Sequence, residues 1–149
     1  MELFSNDVIL RVINHFQNRY STVGDYRQLE NGNWLITSSD MKNDDYNFLV
    51  LIHELLEMYY TQREGIQEID ILKHDMMFER ERSEGLHSSE DEPGDDERAP
   101  YRKHHAFAEK IEREVAKELG VNWEEYSKVV EELPAIKADE YNWNGGKAE

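Results

Sequence analysis

The residues best suited to chemistry lie within residues 48–63, FLVLIHELLEMYYTQR, which carry His53, Glu54 and Glu57. His53 and Glu57 are four residues apart, so on a helix both side chains leave the same face one turn apart and converge on one point. Glu54 follows His53 by about 100° of helical rotation, beside that point rather than opposite it. In HExxH metallopeptidases the two histidines bind zinc and the glutamate is the general base. Here Glu57 stands where the second histidine would be, and a carboxylate oxygen is also an acceptable zinc ligand. The spacing therefore predicts a divalent-metal site with His53 and Glu57 as ligands and Glu54 as catalytic base. Zinc is expected first, and the extra oxygen ligand keeps Mn and Mg open.

The same three residues could simply form the solvated face of an amphipathic helix. Their neighbours argue otherwise. Phe48, Leu49, Val50, Leu51, Ile52, Leu55 and Leu56 make the helix apolar round most of its circumference, which predicts burial. A buried carboxylate requires a cation, a metal or a hydrogen-bond network, so a structural polar network is the competing interpretation.

A third ligand has to come from elsewhere in the chain. Residues 101–119 read as a helix with Phe107, Ile111, Val115 and Leu119 as its apolar stripe and Gly120 at its end. If that stripe packs on Leu49, Ile52 and Leu56, a histidine in its first turn reaches the site. His104 and His105 are the two candidates, and the one that is a ligand should stand within about 5 Å of His53 or Glu57. A helical stretch after Gly65, with Ile66, Ile69, Ile71, Leu72, Met76 and Phe78, carries Asp75 as a fourth ligand or as an acceptor behind the ligands. His15 is assigned a structural or surface role, and His87 is expected in solvent.

The remaining elements frame these. Val8, Ile9, Val12, Ile13 and Phe16 have helical spacing and predict an N-terminal packing helix ending near Tyr20. YRQLE and NWLITS flank Asn31-Gly32 and predict a small antiparallel hairpin over residues 26–38. The central helix should begin between Asp40 and Tyr46. Residues 79–98 are acidic and nearly devoid of large apolar side chains, which predicts a mobile loop. Asn122 with Glu125 caps a last helix that Pro134 ends. Tyr141 and Trp143 are expected to dock on the body, ahead of a flexible tail at 144–149. The expected fold is α+β, mainly α: one domain over residues 1–149, with two or three helices after the central one.

With 149 residues and no cysteine, the chain can bury a core but has neither disulfides nor thiolate ligands. Lys and Arg number 17 against 33 Asp and Glu, for a net charge of −16, which disfavours nucleic acid and anionic membranes. No signal peptide or apolar span of membrane length is present, so a cytoplasmic location is expected. Oligomeric state is not legible.

Three segments, NFLVLIHELLE with Asp75 downstream, EPGDDERAPYRKHHAFAEKIER and LGVNWEEY, together resemble a group of small, uncharacterised phage and prophage proteins. That resemblance covers most of the chain beyond its N-terminal segment, selects His105 over His104, and implies a host-cell cytoplasm. It supplies no reaction. The order of helix, hairpin, metal-binding helix and later ligand-bearing element is also similar to a reduced zincin, departing from it at Glu57 and in lacking a downstream HxxGxxH. A metal-dependent hydrolase acting on a peptide or small substrate is the leading expectation. The alternatives are a Mg-dependent phosphoester or nucleotide pyrophosphate hydrolase, for which Arg102 and Lys103 are the nearby basic pair, and a non-enzymatic acidic phage protein that binds a host factor.

Overall fold

Asn31 and Gly32 fix the sheet on which the site is assembled. A computed structural model describes residues 2–141; Trp143 and the expected flexible tail lie outside them. Strands β2 (Gly24–Gln28) and β3 (Trp34–Ser39) form the expected antiparallel hairpin, with Tyr26 opposite Ile36. The turn spans one residue more than a two-residue loop: Leu29 N–H donates to Asn33 O, and Gly32 takes the left-handed conformation at φ 91°. Asn31 does not, so glycine alone supplies the positive φ that such a loop needs.

The N-terminal helix expected from residues 5–20 is not formed. Val8–Ile13 is instead strand β1, paired in parallel with β3 from Val8 opposite Trp34 to Ile13 opposite Ser39, giving the order β1-β3-β2. The run VILRVI is dominated by β-branched residues, which pack well on a pleated surface and lose side-chain freedom in a helix. So short an apolar run fits either period. A 3-10 turn at His15–Gln17, capped by Asn14, ends the strand. His15 is buried, its Nδ1 2.9 Å from Ser39 Oγ and its Nε2 2.6 Å from Pro134 O. It is the structural histidine of the two roles expected for it.

Helix α1 (Asp44–Arg63) crosses the sheet. Asn43 accepts from Tyr46 N–H, Asp44 and Asp45 oppose the dipole in the first turn, and Gly65 closes the end at φ 74°. Its sheet side packs Leu51 and Met58 with Tyr26, Trp34 and Ile36, and a second cluster joins Leu49 and Val50 to Ala116 and Tyr126. Helix α2 (Glu68–Ser83) runs past the expected break at Glu79. Arg82 pairs with Glu79 and also donates to Ser88 O and Asp91 O, pulling the following segment onto the helix end. His87 is not a solvent histidine: its ring stacks on Phe78 at 3.9 Å and reaches Glu81. A 3-10 turn at Pro93–Asp95 then leads into α3 (Arg102–Leu119), which Gly120 ends, and α4 (Trp123–Glu131), capped by Asn122. The class is α+β, mainly helical.

The buried face of α3 is not the stripe its apolar residues trace. Phe107 and Leu119 are each 39% exposed, and the residues turned inward are His104, His105, Ala108, Glu112 and Ala116. Two alanines at this contact let the helix axes approach, and beside them His105 meets His53 and Glu57 while Glu112 meets His53. The apolar stripe is therefore out of phase with the true contact by about one residue, or 100°. Urea denaturation should show that Ala108→Leu costs about 1–3 kcal/mol by overpacking, while Phe107→Ala costs less than about 1 kcal/mol. The reverse ranking would restore the stripe as the packing face.

Candidate metal centre

The packing of α3 on α1 brings His53, Glu57 and His105 together, through the inward face of α3 rather than the apolar stripe expected to make the contact. Glu57 Oε2 lies 2.7 Å from His53 Nε2 and 2.7 Å from His105 Nδ1, and the two nitrogens are 3.1 Å apart. All three side chains are buried. Each imidazole is held on its far side by another carboxylate: His53 Nδ1 meets Glu112 Oε1 at 2.6 Å, and His105 Nε2 meets Glu92 Oε2 at 2.8 Å. Tyr126 donates to the second oxygen of Glu112 at 2.7 Å, so the chain of contacts reaches α4. Asp95 Oδ1 stands 3.6 Å from His105 Nε2.

Charges buried this way set one another. Burial opposes the charged form of His53, yet Glu57 and Glu112 outweigh it and raise its pKa well above the ordinary value. Burial likewise works against the His105 cation, but Glu57 and Glu92 carry its pKa up to about 10. Glu57 is held low in spite of burial by the two histidines. Glu54 is different: burial, then the neighbouring Glu57 charge, pushes it well above the usual carboxylate range.

Backbone approaches close the site from two sides. A Cβ on Gly24 would lie 2.5 Å from Glu54 Oε1, and one on Gly94 would lie 2.3 Å from His105 Cγ. The sheet thus presses on Glu54 and the Pro93–Asp95 turn presses on the His105 ring, with only hydrogen at the contact. His53, Glu54, Glu57 and His105 line a cavity of about 470 Å³. Its arginines are engaged: Arg19 pairs with Asp25 through two bonds, Arg82 is tied as described, and Arg113 lies over the Trp123 ring at 4.4 Å.

Not every expected residue joins the cluster. Asp75 faces the same cavity but stands outside the group of ligand atoms, its oxygens taken by the hydroxyls of Tyr20, at 2.9 Å, and Tyr101. His104 lies 2.9 Å from Glu64 Oε2 and stacks on Tyr60, away from the three inner atoms. Glu112 and Glu92 were not among the expected site residues. Glu112 lies seven residues after His105, two helical turns along the same face, with small Ala108 between. Glu92 belongs to a loop whose path no periodicity reveals.

His53, Glu57 and His105 are a set of groups that could hold a divalent cation. Ligands about 2.0–2.2 Å from a tetrahedral ion stand about 3.4 Å apart, so the triangle needs to open by less than about 1 Å. Comparison of the chain with protein-family models, curated proteins and solved structures gave no match.

Asp75 gives a test of these electrostatics apart from any metal. Burial lifts its pKa from 3.8 to about 7, against the lowering effect of the two tyrosine hydrogen bonds. The folded state therefore holds a proton that the unfolded chain releases at lower pH. The stability this contributes is complete below about pH 4 and is lost as pH rises to about 7, on the order of 4 kcal/mol. Asp75→Asn removes the titration. In thermal melts, its Tm relative to the parent should rise by several degrees between pH 4.5 and 8, and a pH-independent difference would show that Asp75 is not a buried acid.

Proposed function

We propose that the protein is a metal-dependent hydrolase whose cation is held by His53, Glu57 and His105, with Glu54 as general base. One observation carries this. Each histidine is oriented by its own outer carboxylate, Glu112 or Glu92, while the inner nitrogens and Glu57 Oε2 converge on one point. Outer carboxylates acting on metal-binding imidazoles fix the tautomer and ring direction, and they are a recurrent part of such sites.

Two imidazoles and one carboxylate favour zinc over magnesium, because imidazole is a poor match for a small hard cation. Zinc in such a site lowers the pKa of a coordinated water toward neutrality. Glu54, one residue after His53, would be the residue to receive the proton of a water so activated and to return it to the leaving group. Gly24, with no Cβ, leaves room for the carboxylate of Glu54 at the cavity wall. A peptide or other amide is the substrate class we favour. The phosphoester alternative wants free cations beside the metal. Arg102 and Lys103 are exposed and do not line the cavity, and the arginines that do line it are already engaged. The competing reading is a buried charge network in which Glu57 pairs with both histidines and no metal is bound.

Metal titration and mutagenesis test this directly. The purified chain should take up one zinc ion, and His53→Ala and Glu57→Ala should each abolish uptake while the far-UV circular dichroism stays helical. Glu54→Gln should keep zinc and lose hydrolysis of a fluorogenic peptide library by about 10²–10⁴-fold, since the amide keeps the shape but cannot take the proton. Release of zinc by Glu54→Gln as readily as by His53→Ala would overturn the assignment of roles.

A further inference from the structure

The two edges of the sheet are finished differently. On β2, Val23 O accepts from Ser39 N–H and Leu29 N–H donates to Asn33 O, so the odd-numbered residues bond toward β3 and Gly24, Tyr26 and Gln28 face outward. Each outward residue is answered by a side chain. Thr22 Oγ1 donates to Gly24 O at 2.7 Å, Arg19 Nη2 donates to Tyr26 O at 3.4 Å, and Gln28 N–H donates to Glu68 Oε1 at 3.0 Å. β1 has no such finish. Asp7 O and Ile13 O accept from Trp34 and Asp40, so its odd-numbered residues bond toward β3, and Val8, Leu10 and Val12 face outward. Among the described residues, no strand borders that side and no side chain is bonded to those three backbones. Their side chains share the α1 face of the sheet, but α1 packs chiefly on β3 and β2, and Leu10 stays 49% exposed and Val12 42%. An uncovered apolar edge without lysine or proline is a template for another strand.

We propose that β1 is a self-association edge: two copies of this chain pair antiparallel through β1 about a two-fold axis at Leu10, and two three-stranded sheets become one of six. Charge and symmetry select the occupant. The chain carries 33 Asp and Glu for a net charge of −16, yet residues 8–24 contain neither. Two copies that repel one another over their acidic surfaces can approach along this segment. The outward positions 8, 10 and 12 are symmetric about Leu10. With Leu10 opposite Leu10, Val8 of each copy lies opposite Val12 of the other, and every outward N–H and C=O of the three residues gains a partner. The same register offsets the two Arg11 side chains, so like charges are not directly opposed. Leu10 and Val12 of both copies then form one apolar row beside the α1 helices, withdrawn from water by the pairing. A foreign strand would have to supply this match, whereas a second copy has it by symmetry. The contact is independent of the metal centre.

Sedimentation equilibrium of the full chain should show monomer converting to dimer as concentration rises, with or without zinc. Leu10→Lys sets like charges opposite each other at the axis and should weaken dimerisation by about 10-fold or more. Because Leu10 is half exposed, the far-UV circular dichroism of that variant should not change. The chain contains no cysteine, so single introduced cysteines report the register. At the axis the two Cα atoms stand about 5.5 Å apart, within reach of a disulfide, and Leu10→Cys should form a covalent dimer on mild oxidation. Arg11→Cys should not, since its Cα atoms would be about 8 Å apart. A parent chain that stays monomeric at every concentration overturns the proposal, whatever else the edge binds. A dimer unaffected by Leu10→Lys also overturns it, as does cross-linking through Arg11→Cys in preference to Leu10→Cys.

Discussion

Charge withdrawn from water between α1 and α3 is the constraint on which the rest of this structure depends. Glu57, Glu112, His53 and His105 share one buried contact, and removing any one of them leaves the others with uncompensated charge. Every neighbouring element answers that demand. α4 brings the hydroxyl of Tyr126 to Glu112, and the turn before α3 brings Glu92 to His105. Ala108 and Ala116 allow the helices close enough for the contact to be direct. Apolar packing alone would accept several relative rotations of these helices; satisfying the polar groups accepts very few.

The close backbone approaches at Gly24 and Gly94 show that the site is enclosed by parts of the chain far apart in sequence. One belongs to the hairpin and the other to the acidic loop, yet each leaves room only for hydrogen against a side chain of the cluster, Glu54 or His105. The loop after α2 is joined to this enclosure through Arg82, through His87 on Phe78, and through Glu92 on His105. Its acidic composition serves local pairing as well as solvation.

The arginines in the cavity wall are paired with Asp25 or Glu79 or laid over Trp123, and carboxylates, histidines, aromatic rings and aliphatic side chains share the wall with them. Among the described residues, no helix is long and apolar enough to cross a membrane.

The sequence by itself determined the features governed by local rules. Asn31-Gly32 defined the hairpin, Asn43 and Gly65 bounded the central helix, and the four-residue step placed His53 and Glu57 on one face with an apolar surround that required a partner for them. It also put His105 in the first turn of a helix able to pack there. Only the tertiary structure decided the matters that depend on pairing between distant segments. Residues 8–13 became a strand because β3 offered a parallel edge to a short β-branched run that suits either period. The contact face of α3 was chosen by buried charge over apolar area, so Phe107 and Leu119 turned outward and Glu112 turned in. Asp75 was claimed by two tyrosines, one from before β2 and one from the start of α3. Glu92 reached His105 along a loop, where no helical spacing marks a residue as a neighbour. Local sequence records the propensity of an element and the chemistry of its residues; which groups meet depends on the total cost of desolvating them, and that is settled only when all the elements are in place.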